Sequence, residues 1–212
     1  MHLSPDRRVT MSAKEWVKEI IWFLGLLAIM LIVKKYIMFP VAVSGHSMDP
    51  TLQDRERIMA VKLSKIERFD IVTFPAPDKP GDNYVKRIIG MPGDTVAYDN
   101  DKLLINGKEV AEPYLDEYKQ SLAEGEVFTT LDTYLLDKPI TPTKDDRWVT
   151  SFELTDLNGI NEAVIPEGKV LVLGDNRPVS KDGRYIGLID MKDISGELKF
   201  SFWPLSKFGM IK

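Results

Sequence analysis

The sequence predicts a mainly β, antiparallel-sheet domain held behind a single N-terminal transmembrane helix. Three observations predict it. From Ile20 to Val33 the chain reads IIWFLGLLAIMLIV without a charge. Beyond Pro40 the apolar residues come in short runs broken by Gly, Pro, Asn and Asp, as strands do. Asn106-Gly107 separates two of those runs as a two-residue hairpin turn. With 212 residues, 44% of them hydrophobic and 28% charged, the chain has the length and composition of one main globular core. It divides into a tail at 1–15, an anchor at 16–39 and a β-rich domain at 40–212.

The uncharged stretch is short for a spanning helix, but Lys18 on one side and Lys34-Lys35 on the other can snorkel and lengthen it. It is apolar all round and not on one face, which disfavours an ordinary core helix. A cleaved secretory signal is the rival reading, since Ala42-Val43-Ser44 resembles a small-x-small cleavage site; cleavage there would leave Ser47 on the mature chain. Arg7, Arg8, Lys14 and Lys18 outnumber the basic residues just after the span, which predicts an inside N-terminus and an outside C-terminal domain.

In the body, strands are predicted at Arg57–Leu63, Phe69–Phe74, Asn83–Met91, Thr95–Tyr98, Lys102–Ile105, Lys108–Val110, Lys169–Leu173 and Gly196–Trp203. Between Glu112 and Pro166 the pattern is weaker, acidic and turn-rich, which reads as a variable insertion at about 112–166. A net charge of −4 without a basic stripe argues against a nucleic-acid partner. The absence of cysteine removes a disulfide framework, a thiolate nucleophile and sulfur-ligated metal. Two histidines, His2 and His46, are too few and too far apart for a histidine metal site. No cofactor is expected.

The segment VSGHSMDPTL at Val43–Leu52 follows the anchor and surrounds Ser47 with rigid, small and hydroxylated residues. Gly45 permits a tight turn and Pro50 fixes φ nearby, so the loop can hold Ser47 Oγ and its N–H in a defined geometry. Alone, it reads more readily as a turn leading into a strand. A nucleophilic serine needs a base, and His46, as its neighbour on an extended chain, points the other way. Lysine is the remaining conventional base, provided that desolvation lowers its pKa. In Tyr84-Val85-Lys86-Arg87-Ile88, strand alternation sets Lys86 on a face with Tyr84 and Ile88 and Arg87 on the other. Taken singly, the Lys-Arg pair reads as solvated charge. A third cluster, Leu173–Tyr185, follows the strand KVLVL; in it Asp175, Arg177, Asp182 and Arg184 can pair with one another while Ser180 contacts the base.

These residues carry a resemblance: the chain is similar to the bacterial type I signal peptidases of the single-anchor Gram-positive kind. The resemblance rests on the anchor, on SGHSMDPTL, RFDIVTF at Arg68–Phe74, YVKRIIGMPGDTV at Tyr84–Val96 and LGDNRPVSKDGRYIG at Leu173–Gly187. It implies Ser47 as nucleophile, Lys86 as base, Ser180 as the hydroxyl that orients Lys86, and Asp175, Arg177, Asp182 and Arg184 as a supporting network. Met48 and Pro50 are implied to shape the substrate loop. The implied partners are exported preproteins with their signal peptides, cut after small-x-small sites, and membrane lipid. Phe200, Phe202 and Trp203 are candidates for an interfacial patch. Gly45 stands where some members carry a hydroxyl residue, so the oxyanion must use Ser47 N–H and another donor; Gly183 replaces a serine of some relatives. Two other readings compete: a tethered β-rich binding protein in which Ser47 and Lys86 are structural, and a self-cleaving repressor-like Ser-Lys protease, which would carry a DNA-binding module. The absence of any Ser-x-x-Lys spacing argues against an acylase or β-lactamase.

Overall fold

The computed structural model describes residues 12–99, 102–121, 152–157, 159–177 and 179–211. Helix α1 (Ala13–Tyr36) begins at Ser12, which exchanges reciprocal capping bonds with Glu15, and carries Lys34 and Lys35 in its last turn. None of its residues is buried. It ends short of the residue 39 expected for the anchor, because the ring of Pro40 would meet the carbonyl of Tyr36 in a continuing helix. Met38–Ala42 instead forms strand β1, paired to the next strand in the register Phe39↔Ala60 and Val41↔Ile58.

The strands that follow are β2 (Arg57–Val61), β3 (Ile71–Pro75), β4 (Asn83–Gly90), β5 (Val96–Asp99), β6 (Lys102–Ile105) and β7 (Lys108–Val110). After the short helix α2 (Asp116–Ser121) come β8 (Phe152–Glu153), β9 (Lys169–Leu173), helix α3 (Gly183–Ile186), β10 (Ile189–Asp190), β11 (Gly196–Trp203) and β12 (Gly209–Met210). Among the described residues they make an eight-stranded sheet in the order β1-β2-β11-β3-β4-β9-β10, with β12 beside β11, and a four-stranded sheet in the order β7-β6-β5-β8. Every pairing between these strands is antiparallel, as the strand pattern predicts. Asn106 and Gly107 turn the β6–β7 hairpin with φ of 52° and 73°, the left-handed pair that such a turn needs.

The ends of the 112–166 stretch belong to the fold. Phe152 pairs with Tyr98 across β8 and β5, and Leu154, Leu157, Ile160 and Ile165 fill the core under the small sheet with Ile89, Leu171 and Leu173. Residues 122–151 of the expected insertion lie outside the described residues. A second core (Val43, Met48, Leu52, Ile58, Ala60, Ile71, Leu198) lies beneath the segment after β1, and a third (Val72, Phe74, Ile88, Val170, Val172, Ile189) beneath β4 and β9. The Ser47 loop and Lys86 sit where these cores meet.

Candidate active site

The loop from Val43 to Glu56 is tied at its base. Val43 N–H donates to Glu56 O at 2.8 Å and Arg55 N–H to Val43 O at 3.0 Å. Gly45 has φ of 86°, a conformation that glycine adopts without strain, and its N–H donates to Asp54 Oδ1 at 2.9 Å. Met48 and Leu52 bury their side chains in the core, which leaves Ser47 half-buried on the opposite side of the loop. His46 turns to Asp49, with Nδ1 2.9 Å from Oδ2, and not to Ser47. His2 lies outside the described residues.

Lys86 stands midway along β4, opposite Val72 of β3. Its side chain is 3% exposed, and its Nζ lies 2.6 Å from Ser47 Oγ and 3.0 Å from Val85 O. Burial pulls its pKa from 10.5 down to about 8; the Asp182 and Asp175 carboxylates oppose the fall and the Arg184 guanidinium assists it. Tyr84, on the same strand face, holds its ring 5.3 Å from Nζ.

The acidic and basic residues of the third cluster do not pair as a closed set. Asp182 and Arg184 do pair, with Nε to Oδ1 at 2.8 Å and Nη2 to Oδ2 at 2.9 Å, and Asp182 Oδ2 also accepts Gly174 N–H at 2.8 Å. Burial raises the Asp182 pKa, but the Arg184 guanidinium and these hydrogen bonds outweigh it and hold the carboxyl below its ordinary value. Asp175 pairs instead with Arg87, which grips both carboxylate oxygens at 2.9 and 2.7 Å and donates to Phe69 O. Arg177, fully buried, reaches Glu112 at 2.6 Å and Tyr98 OH at 2.9 Å, and returns Nε to Gly174 O at 3.0 Å. Ser180 is also fully buried. Its Oγ has no hydrogen bond of good geometry among the described residues, Lys86 Nζ included, although it lies near enough to the Asp182 carboxylate to help lower its pKa; Ser180 Oγ and Ser47 O both border the space that a Cβ on Gly174 would take.

Ser47 and Lys86 open onto a cleft of about 850 Å³ between Phe39–Met48 and Gly81–Lys86, with Val179 and Lys181 at its rim. Met48 belongs to its wall. Pro50 does not: it faces a separate hollow of about 460 Å³ with Thr51, Gln53, Tyr114 and Lys207, because the turn after Met48 carries it around the back of the loop. β9 pairs with β4 only from Arg87 onward, so among the described residues Asn83–Lys86 has no strand partner on that side, and β1 is the outer strand of its sheet. Among the described residues no group of three His, Asp or Glu side chains is arranged to hold a metal ion.

Sequence reasoning missed Arg87, Glu112, Tyr98, Tyr114 and Asn176 as parts of this centre. Only Arg87 had a local signal, its place beside Lys86 with alternation sending it to the other face. The buried carboxylate that holds Arg177 comes from 65 positions away in a stretch without a motif.

A family model described as "Signal peptidase, peptidase S26" matches residues 13–203. The chain is 42% identical over 208 residues to the signal peptidase I of Streptococcus pneumoniae strain R6, covering 92% of this chain and 97% of that one. It is 42% identical over 201 residues to signal peptidase IB of Staphylococcus aureus, covering 92% and 93%. The crystal structure of a signal peptidase I from Enterococcus faecalis V583 superposes with a TM-score of 0.51 at 36% identity, over 64% of this chain and 97% of that one.

Proposed function

The chain belongs to the S26 family of signal peptidases, serine peptidases that remove signal peptides from preproteins, and we propose that it works as a membrane-anchored Ser-Lys endopeptidase. Ser47 is the nucleophile and Lys86 the general base. The observation that carries this is the 2.6 Å approach of Lys86 Nζ to Ser47 Oγ in a buried position where the lysine pKa falls to about 8. At pH 7 about one lysine in ten is then neutral, against fewer than one in a thousand for an unperturbed lysine.

In the neutral state Ser47 O–H donates to Nζ. Oγ attacks the scissile carbonyl carbon as its proton passes to Lys86, and the carbonyl oxygen becomes an oxyanion beside Ser47 N–H. The C–N bond breaks as the lysine ammonium returns its proton to the leaving amine, the new N-terminus of the mature protein. Lys86 next takes a proton from water, whose oxygen attacks the acyl carbon. Ser47 recovers its hydrogen and the signal peptide leaves as a carboxylate. The Asp182 and Asp175 carboxylates steady the transient lysinium, and burial makes it give the proton back.

The unpaired edge of Asn83–Lys86 and the neighbouring Val41–Ser47 segment can take an extended peptide between them as an added strand. Alternate residues of that strand share one face, so the first and third positions before the cut meet the same wall, and small residues there bring the carbonyl to Ser47. Helix α1 is 24 residues long and apolar enough to cross a bilayer, about 36 Å at helical rise. The short connection from its end keeps Ser47 within roughly 50 Å of the surface. Trp203, Leu205, Phe208 and Met210 are exposed together around β12 and offer an apolar contact for lipid; Phe200 and Phe202 are half-buried and contribute less. The N-terminus is cytoplasmic and the catalytic domain extracytoplasmic in this reading.

The test is cleavage of a preprotein by the full chain in detergent, with Ser47→Ala and Lys86→Ala at matched folding. Loss of nearly all activity in both is expected. Cleavage by either variant at the parent's rate contradicts the dyad and favours the tethered binding protein.

A further inference from the structure

We propose that Asn176 is a positioning residue for the oxyanion hole, acting through the peptide unit that joins His46 to Ser47. Its side-chain amide Nδ2 donates to His46 O at 2.9 Å, and its backbone N–H donates to Ser47 O at 3.1 Å. The inference rests on the Ser-Lys reading above and deepens it.

A trans peptide is planar, with N–H and C=O directed oppositely. His46 O accepts Asp49 N–H at 3.2 Å as well, and holding it between this donor and the shorter bond from Asn176 fixes the Ser47 N–H in the reverse direction. Among the described residues nothing accepts a hydrogen bond from Ser47 N–H, although His46 and Ser47 both line the cleft and Asn176 does not. The carbonyl partner can only accept, so the Asn176 amide must present its NH2 group, and its orientation is settled by chemistry. Met48 N–H shares a peptide unit with Ser47 O and is held by the same residue in the same sense.

Gly45 makes this bond matter. It has no side-chain hydroxyl to share the oxyanion, and with φ of 86° and its N–H held by Asp54 it leaves the direction of the next N–H to whatever binds the His46 carbonyl. A rotation of the His46–Ser47 peptide would turn the N–H away and present a carbonyl oxygen to the developing charge. The Asn176 amide, with the longer bond from Asp49 N–H, opposes that rotation. Its own position is set by its neighbours, since Asp175 is gripped by Arg87 and Arg177 by Glu112. The loop after β9 thus supports Lys86 through its carboxylates and the oxyanion donor through its amide.

Asn176→Leu keeps the branched outline and neutrality and removes the donor; Asn176→Ala removes the side chain and serves if the bulkier leucine variant does not fold. In detergent with a preprotein substrate, kcat should fall about 10- to 100-fold, part of the loss seen when an oxyanion donor is removed outright. KM should stay within about twofold, and the pH midpoint of kcat/KM should not move, because no charge near Lys86 changes. The inhibition constant of a substrate-like peptide aldehyde, whose adduct with Ser47 carries the oxyanion, should rise by the same factor as kcat falls. A purely structural residue would lower the melting temperature without separating kcat from KM. Variants with kcat within twofold of the parent, or with the loss in KM or in the pH midpoint, overturn the assignment. Ser47→Ala, run beside them, keeps the two claims apart: if it cleaves, the Ser-Lys reading fails; if it is inactive while Asn176→Leu is normal, only the role of Asn176 fails.

Discussion

Gly174→Ala is a small change that should separate Ser47 from Lys86. A Cβ on Gly174 would lie 2.1 Å from Ser180 Oγ, 2.5 Å from Ser180 Cβ and 2.4 Å from Ser47 O. Non-bonded carbon sits comfortably at about 3.5 Å, so about 1 Å has to be found. Ser180 can swing its Oγ aside but not its Cβ. Ser47 O belongs to the backbone and is tied to Asn176 N–H at 3.1 Å. On the other side, Gly174 N–H is bound to Asp182 and its carbonyl to Arg177. The strain falls on the Ser47 loop, the one neighbour that borders an open cleft. Overpacking of this kind costs about 1–3 kcal/mol of stability. With Ser47 and Lys86 in the roles proposed for them, a displacement of about 1 Å between the two costs about 100-fold in rate. Steady-state cleavage of a preprotein gives the rate and urea unfolding the stability. A variant with kcat within threefold of the parent and unchanged stability refutes the argument, because it would mean that the gap between Gly174 and Ser47 is not tight.

Lys86→Met should be inactive yet more stable than the parent by up to about 3 kcal/mol near pH 7, the cost of burying a lysine whose pKa is drawn from 10.5 to about 8. The sign follows from proton counts: between pH 8 and 10.5 the unfolded chain binds the extra proton, so the parent gains stability as pH rises and the gap to Lys86→Met closes, which urea unfolding at several pH values measures. Glu112→Ala leaves the Arg177 guanidinium buried without its carboxylate and should cost about 3–5 kcal/mol in the same assay; a cost below about 1 kcal/mol would mean that the guanidinium is held without it. Leu205→Ser with Phe208→Ser, in the chain without residues 1–36, should weaken binding to lipid vesicles at least about tenfold, as sedimentation with vesicles will report.

Local chemistry was legible in the sequence. The β6–β7 hairpin, β9 and β11 follow from short apolar runs, alternating in β11 and continuous in β9, bounded by Asn-Gly, Gly and Pro, and their ends fall where the punctuation places them. β1 was hidden because its apolar residues continue the pattern of α1; only Pro40, read as a helix stop at Tyr36, marks the change. The two-residue strands β8, β10 and β12 carry no period to detect. The pairing of Ser47 with Lys86 was accessible because both lie in segments whose residue types fit one chemistry. The partners of Asp175 and Arg177 were not, since a buried charge can be matched from anywhere that the fold brings close. The loop's own carboxylates and guanidiniums suggested a closed set, whereas Arg87 from β4 and Glu112 from beyond β7 complete it. The role of Ser180 comes from the resemblance, and where its buried Oγ ends up depends on how the loop folds back against Gly174.

The pH dependence of kcat/KM between pH 5 and 10 tests the central claim most directly, with His46→Ala measured beside the parent. If neutral Lys86 activates Ser47, the rate rises about tenfold per pH unit at low pH and levels off above a single midpoint near 8, where burial places this lysine, and His46→Ala leaves that midpoint where it was. A flat profile, or a midpoint near 6.5 that His46→Ala abolishes, contradicts it.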